Sequence, residues 1–313
     1  MATTLSGVGV ERRLLVARHA RVALAAAGAV GKIPTPLDDV AAALDVRSTE
    51  DLFALDADAP PGLIARIMRI SGRLKGAMAI RERTVYLDPN QAVPQGRFAM
   101  GHELGHKALP WHDDAYYADS ERHLLPDTRE ELEAEANAFS ADLIFNLGEF
   151  TDRAHASRLG LAAPLALTDL FQVSRRAVIR RYVEDAPRPC ALVVFGQYVE
   201  VVNGTRCLKI LNGIESSSFA DKYGPVTNCF PKYLPINTHP LARDAWAALC
   251  GRAAEPIVTG ELMVTDTKRG STRMDYEIHS NTYAAFTLLY PHRMFVLKPR
   301  LRARWSDDNT GHK

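Results

Sequence analysis

His102-Glu103-Leu104-Gly105-His106 is the segment whose residue types and spacing could do chemistry. On a helix, residues four apart lie about 40° apart in projection and one turn along, so the two imidazoles face one point. Two neutral imidazoles so placed can bind one zinc ion, and Glu103, beside the first, is placed to act as general base toward a water. The bland alternative is a pair of surface histidines on a solvated helix. A catalytic zinc also needs a third protein donor that leaves one coordination position open. Glu131, Glu133 and Glu135 offer carboxylates in a second helical stretch, where Leu132, Ala136, Phe139 and Leu143 are spaced as a core face. Glu133 falls at the edge of that face, one turn before Ala136 and Asn137, and ranks first. Glu131 and Glu135 read as solvated charges, without being excluded as the donor.

Elements must bring these groups together. Thr84-Val-Tyr-Leu-Asp-Pro-Asn90 reads as a short strand ended by turn chemistry, followed by helices over 96–109 and 128–145. A polar segment from Trp111 to Asp127 joins the two helices. Within it Tyr116, Tyr117, His112 and His123 are unranked candidates to stabilise an oxyanion. Its acidic residues Asp113, Asp114, Asp119, Glu121 and Asp127 form a solvated face or a groove for a basic substrate. Phe98, Met100 and Leu104 give the first helix an apolar side. Upstream, Val10–Ala27 and Pro36–Leu44 are helical, Pro36 suiting a first turn.

Arg97-Phe-Ala-Met-Gly-His-Glu-Leu-Gly-His106, followed by Glu133-x-x-Ala-Asn137-x-Phe-Ser-Ala141, resembles the ImmA/IrrE metallopeptidases, and among them the three-domain radiation-response members. The resemblance is strong over residues 83–145, fair to 185 and thin beyond. It implies His102, His106 and Glu133 as ligands of Zn2+ and Glu103 as the catalytic base, hence a gluzincin-like zinc metalloendopeptidase. Mn2+ could replace zinc at such a site. In the implied reaction Glu103 takes a proton from the attacking water and passes it to the leaving amine. Ser140 departs from the family's more usual alanine without touching the chemistry.

Residues 165–182 fit a helix-turn-helix: Leu167, Leu170 and Phe171 line one face, Val173 is buried in the turn and Ser174 caps a second helix. Ala177, Val178 and Tyr182 would pack that helix, leaving Arg175, Arg176, Arg180 and Arg181 exposed to dock DNA or a protein substrate. Gln172 stands in the turn where glycine is common.

Beyond the prolines of Asp185-Ala-Pro-Arg-Pro-Cys190 the texture changes to short β-branched runs at 191–195, 198–202, 256–258 and 284–290, with one helix at Pro240–Leu249. An α+β domain with a mostly antiparallel sheet is expected. Pro235-Ile-Asn-Thr-His239-Pro240 and the helix after it resemble the family's GAF-like sensor domain, which implies an unknown small-molecule or signal ligand. Arg269, Arg273 and His279 could bind an anion there, or form a solvated strand edge. The whole chain is therefore expected to be α+β: a mostly helical zincin-like peptidase domain with a small sheet (1–146), a helix-turn-helix-like segment (147–186), a GAF-like α+β domain (187–305) and a disordered tail (306–313).

Composition sets the bounds. The chain has 313 residues with 38 basic and 37 acidic side chains, a balance that opposes coating of nucleic acid by bulk attraction but permits a local basic patch. The longest apolar candidate, Leu14–Val30, is broken by Arg18, His19 and Arg21, so no membrane partner is expected. The first residues do not read as a signal peptide, and Cys190, Cys207, Cys229 and Cys250 lack a Cys-x-x-Cys pair, so free thiols and a cytoplasmic location are expected. From the residues alone the reading is a zinc hydrolase with accessory domains. The resemblance implies a protein substrate, an XRE-type helix-turn-helix repressor cleaved to derepress stress genes of the DNA-damage type. The alternative is a DNA-binding transcriptional regulator with a non-catalytic peptidase-like fold.

Overall fold

The computed structural model describes residues 9–49, 76–79, 84–87, 90–112, 126–251, 256–266, 268, 270–281 and 283–292. The fold mixes helix and sheet. Helices α1 (Val10–Ala26) and α2 (Leu37–Ala43) precede strands β1 (Arg47–Thr49), β2 (Gly76–Ala79) and β3 (Thr84–Leu87). Then come α3 (Val93–Ala108), α4 (Pro126–Ile144), α5 (Glu149–Ala154), α6 (Ala162–Ala166), α7 (Thr168–Phe171) and α8 (Arg175–Glu184). The remainder is β4 (Ala191–Val202), β5 (Thr205–Glu215), α9 (Ser217–Tyr223), β6 (Tyr233–Pro235), α10 (Pro240–Leu249), β7 (Val258–Asp266), β8 (Gly270–Ser280) and β9 (Ala284–Pro291).

Two sheets result. In the small one β3 lies between β1, parallel to it, and β2, antiparallel to it. The other has six strands in the order β6-β5-β4-β9-β8-β7, with every neighbouring pair antiparallel. Its two faces separate by alternation along each strand. Leu192 and Val194 of β4 and Phe286 and Leu288 of β9 face the helical half, in one core with Leu104, Phe139, Phe150, Phe171 and Tyr182. Val193, Phe195 and Leu289 face α9 and α10, against Phe219, Leu241 and Ala245. With both faces covered, the start of β4 reads as the unbroken apolar run Ala191-Leu-Val-Val-Phe195.

The runs at 191–195 and 198–202 are one strand, interrupted by a register shift between Phe195 and Val199. Phe98 departs from its expected place in the core: it is exposed, whereas Met100 and Leu104 are buried. Gly101 and Gly105 take the α3 face toward α4, where Phe98 contributes its carbonyl while its side chain is exposed. The tail at 306–313 lies outside the described residues, and among those that are described no helix is long and apolar enough to cross a membrane.

Candidate metal centre

Helix α3 starts with Pro94 in its first turn, a position that needs no intrahelical N–H donor, and carries His102 and His106 on one side. Gly101 and Gly105 occupy the adjacent stripe, facing Ser140 and Ala136 of α4. A Cβ on Gly101 would stand 2.6 Å from Ser140 Oγ, and one on Gly105 would stand 3.1 Å from the Ala136 Cα. Small residues on both sides thus let the backbones approach, and the buried Ser140 hydroxyl donates to the Phe98 carbonyl at 2.9 Å across the gap. This close approach carries Glu133, one turn before Ala136 on α4, over to the histidines.

The three side chains meet. His102 Nε2 is 3.1 Å from His106 Nε2 and 3.2 Å from Glu133 Oε2, and His106 Nε2 is 3.8 Å from Glu133 Oε1. One donor atom from each residue lies within 4.8 Å of the others, so the set could hold a metal ion. Two imidazole nitrogens and a carboxylate oxygen are the donor chemistry of a zinc site with an open position. Glu103 is half-buried next to His102, and its charge acts on that ring.

The electrostatics favour the metal-ready forms of His106 and Glu133. Burial, aided by the neighbouring His102 charge, pushes the His106 pKa down to about 3, so its imidazole is neutral. His102 is raised: burial opposes its charge but is outweighed by the hydrogen bond to Glu133 and the nearby Glu103 charge. Hydrogen bonding to His102 holds Glu133 below the usual carboxylate range, and so ionised. A neutral imidazole and an ionised carboxylate are the states that ligate a divalent cation.

Around the donors lie residues whose contacts the pattern of the sequence did not reveal. Asn137 Oδ1 is 3.0 Å from His102 Nδ1; it follows Glu133 by one turn, a spacing that could have marked it. After an extended break at Leu109 the chain is helical again at 110–112, which seats His112, fully buried, with Nδ1 2.9 Å from His106 Nδ1. His112, named above among the oxyanion candidates, is fully buried beside His106. Its Nε2 is 3.0 Å from Glu135 Oε2, which also accepts from Trp111 Nε1 at 2.5 Å, while Arg12 Nε approaches Glu135 Oε1 at 3.3 Å. Glu135 is accordingly buried, not solvated as its helical position suggested; Glu131 is exposed. Tyr116, Tyr117, His123 and the acidic residues Asp113 to Glu121 fall outside the described residues.

Away from this centre, Ser174 caps α8 by accepting from the Ala177 N–H at 3.2 Å, and Gln172 takes the left-handed turn conformation at φ 53°. The four arginines do not share one exposed face. Arg175 and Arg176 are exposed, but Arg180 pairs with Glu184 at 2.8 Å. Arg181 is largely buried, donating to Asp142 at 3.2 Å and ion-paired with Asp185 at 2.6 Å, because it closes α8 onto α4. Nor do the anion-binding candidates converge: Arg273 pairs with Glu261, and His279 is buried with Nδ1 3.3 Å from the Pro256 carbonyl. Arg269 lies outside the described residues.

A helix pair that joins a His-Glu-x-x-His segment to a third donor is the arrangement of metallopeptidase-type domains. Residues 65–182 match the model of the IrrE N-terminal-like domain, Peptidase_M78, so the chain carries such a domain, consistent with an IrrE/ImmA-like protein. A solved structure described as a Mycobacterium tuberculosis transcriptional regulator is similar over 91% of this chain and 77% of its own, with a TM-score of 0.52 and 12% sequence identity. At that identity it speaks for the fold alone. No curated protein matches the sequence.

Proposed function

We propose that the protein is a zinc-dependent endopeptidase whose substrate is a helix-turn-helix transcriptional repressor of the XRE type, cleaved to derepress stress genes of the DNA-damage kind. The observation that carries this reading is the triangle of His102, His106 and Glu133, built on two helices within a domain of the Peptidase_M78 type. His102 and His106 would present Nε2 and Glu133 a carboxylate oxygen to the zinc, or to manganese in its place. When bound, zinc supplies Lewis acidity toward a carbonyl oxygen and makes water a nucleophile at neutral pH. Glu103 is the general base: it takes the proton of the attacking water and delivers it to the leaving amine.

Three units would serve this activity in the cytoplasm: a peptidase domain over 1–146, a helix-turn-helix-like segment over 147–186 and a GAF-like domain over 187–305. A cavity of about 800 Å³ between residues 157–163 and strands β7 and β8, lined by Arg158, Glu261, Asp275, Glu277 and Tyr290, supports a small-molecule signal at the last of these. Co-expression of the full chain with a repressor of this type, followed by mass spectrometry, tests the proposal. Fragments that vanish with Glu103→Gln are expected, whereas fragments that persist in that variant would refute the assigned base.

A second reading is favoured by Arg175 and Arg176, exposed at the start of a helix that follows a helix-turn-helix-like turn. The protein would then bind DNA through backbone phosphates, as the regulator it resembles in fold invites one to ask. Gel shifts at physiological salt that are lost on Arg175→Ala/Arg176→Ala would support it.

A further inference from the structure

We propose that His112 and Glu135 are positioning residues, which fix the tautomer of His106 so that its Nε2 lone pair is turned to the metal before any metal arrives. The inference rests on the metal reading above and deepens it.

Donor and acceptor counting carries it. The Glu135 carboxylate can only accept, and it is already the acceptor for the Trp111 indole N–H, which can only donate. The proton between His112 Nε2 and Glu135 Oε2 therefore belongs to His112 Nε2. With a single ring proton, on Nε2, His112 has a bare Nδ1, and that atom lies 2.9 Å from His106 Nδ1. Two bare nitrogens at this distance would repel, so His106 Nδ1 carries the hydrogen and donates it. A neutral His106 protonated at Nδ1 has its remaining lone pair on Nε2, the atom beside His102 Nε2 and Glu133. The relay is rigid as well as polar: His112 is fully buried, Glu135 is nearly so, and the Arg12 guanidinium covers Trp111 at 4.8 Å while pairing with Glu135. Carboxylate, imidazole and ligating imidazole in series are the means by which an outer shell orients a ligand and raises its basicity. The opposite arrangement, with the proton on His106 Nε2, would direct a hydrogen into the centre and oppose binding.

The test is a titration of the full chain with Zn2+ against a competing chelator, for the unaltered protein, His112→Phe and His112→Asn, each checked for cooperative unfolding. Phenylalanine keeps the bulk of the ring without the acceptor; the asparagine amide oxygen can accept near the place of Nδ1. Folded His112→Phe should bind zinc about 10- to 100-fold more weakly, the size of outer-shell effects, and His112→Asn should recover most of that loss. A folded His112→Phe that binds zinc as the unaltered chain does would overturn the proposal. Should that variant not fold, histidine 15N chemical shifts of the unaltered metal-free chain decide. A His106 protonated at Nδ1 supports the relay and one protonated at Nε2 refutes it. Failure of the unaltered chain to bind zinc would instead refute the metal reading itself.

Discussion

Gly105 of α3 lies so close to Ala136 of α4 that an added Cβ would stand 3.1 Å from the Ala136 Cα and 3.3 Å from the Phe139 Cβ. The obstacle is mostly backbone, so α4 itself would have to shift. In a helix interior Gly→Ala normally stabilises by about 1 kcal/mol, but overpacking a tight contact costs about 1–3 kcal/mol. Gly105→Ala should therefore destabilise, and should weaken zinc binding because Glu133 rides on the displaced helix. Denaturant unfolding and zinc titration check both; a more stable variant with full zinc affinity would contradict the packing account.

Asp142 is 2% exposed and accepts from Arg13 at 2.5 and 2.6 Å and from Arg181 at 3.2 Å. It ties α1 and α8 to the helix that bears Glu133. Removing one partner of a buried pair leaves an uncompensated charge, at a cost of about 3–5 kcal/mol. Asp142→Ala is expected to lose stability on this scale in denaturant melts. A loss below about 1 kcal/mol, the size of a surface pair, would show that the arginines find water instead.

Asn146, buried at the end of α4 with φ 48°, donates through Nδ2 to the Ala29 and Lys32 carbonyls and accepts at Oδ1 from the Gly31 N–H. Asn146→Gly retains access to the left-handed backbone and deletes only the clasp. Each buried polar group left unsatisfied costs about 1–3 kcal/mol, so a loss of roughly 2 kcal/mol or more is expected in the same melts. A neutral substitution would mean that the 29–35 loop is held without it.

Thiol chemistry should divide the cysteines. Burial pushes the Cys190 thiol up to about 12 and hides it, Cys207 is also buried, and Cys250 is exposed. Because the thiolate is the reactive form, a disulfide reagent at neutral pH should label Cys250 fast and Cys190 only on unfolding. Rapid native labelling of Cys190 would contradict the packing of β4.

The sequence shows the local part of this centre and conceals the rest. The i, i+4 spacing of His102 and His106 and the apolar period of α4 are helix properties, and they place Glu133 at the edge of the core as expected. Helix α10 likewise starts at its proline, and the antiparallel α+β character of the second half is legible in β-branched runs. What was hidden depends on tertiary contact. Glu135 has the local pattern of a surface residue and is buried because Trp111, His112 and Arg12 enclose it. The four arginines of α8 look alike on a helical wheel, yet Asp142 draws Arg181 inward. Strand β8 alternates Arg273, Asp275 and Glu277 with buried Met274, Tyr276 and Ile278; its period of two was readable, but the charges masked it.

The central claim, that His102, His106 and Glu133 together hold one divalent cation, is tested most directly by the metal content of the purified full chain and of its Glu133→Ala variant. One zinc per chain in the unaltered protein and in Glu103→Gln, with most of it lost from Glu133→Ala, is the result expected. A Glu133→Ala protein that still carries one equivalent, bound as tightly as before, would contradict it.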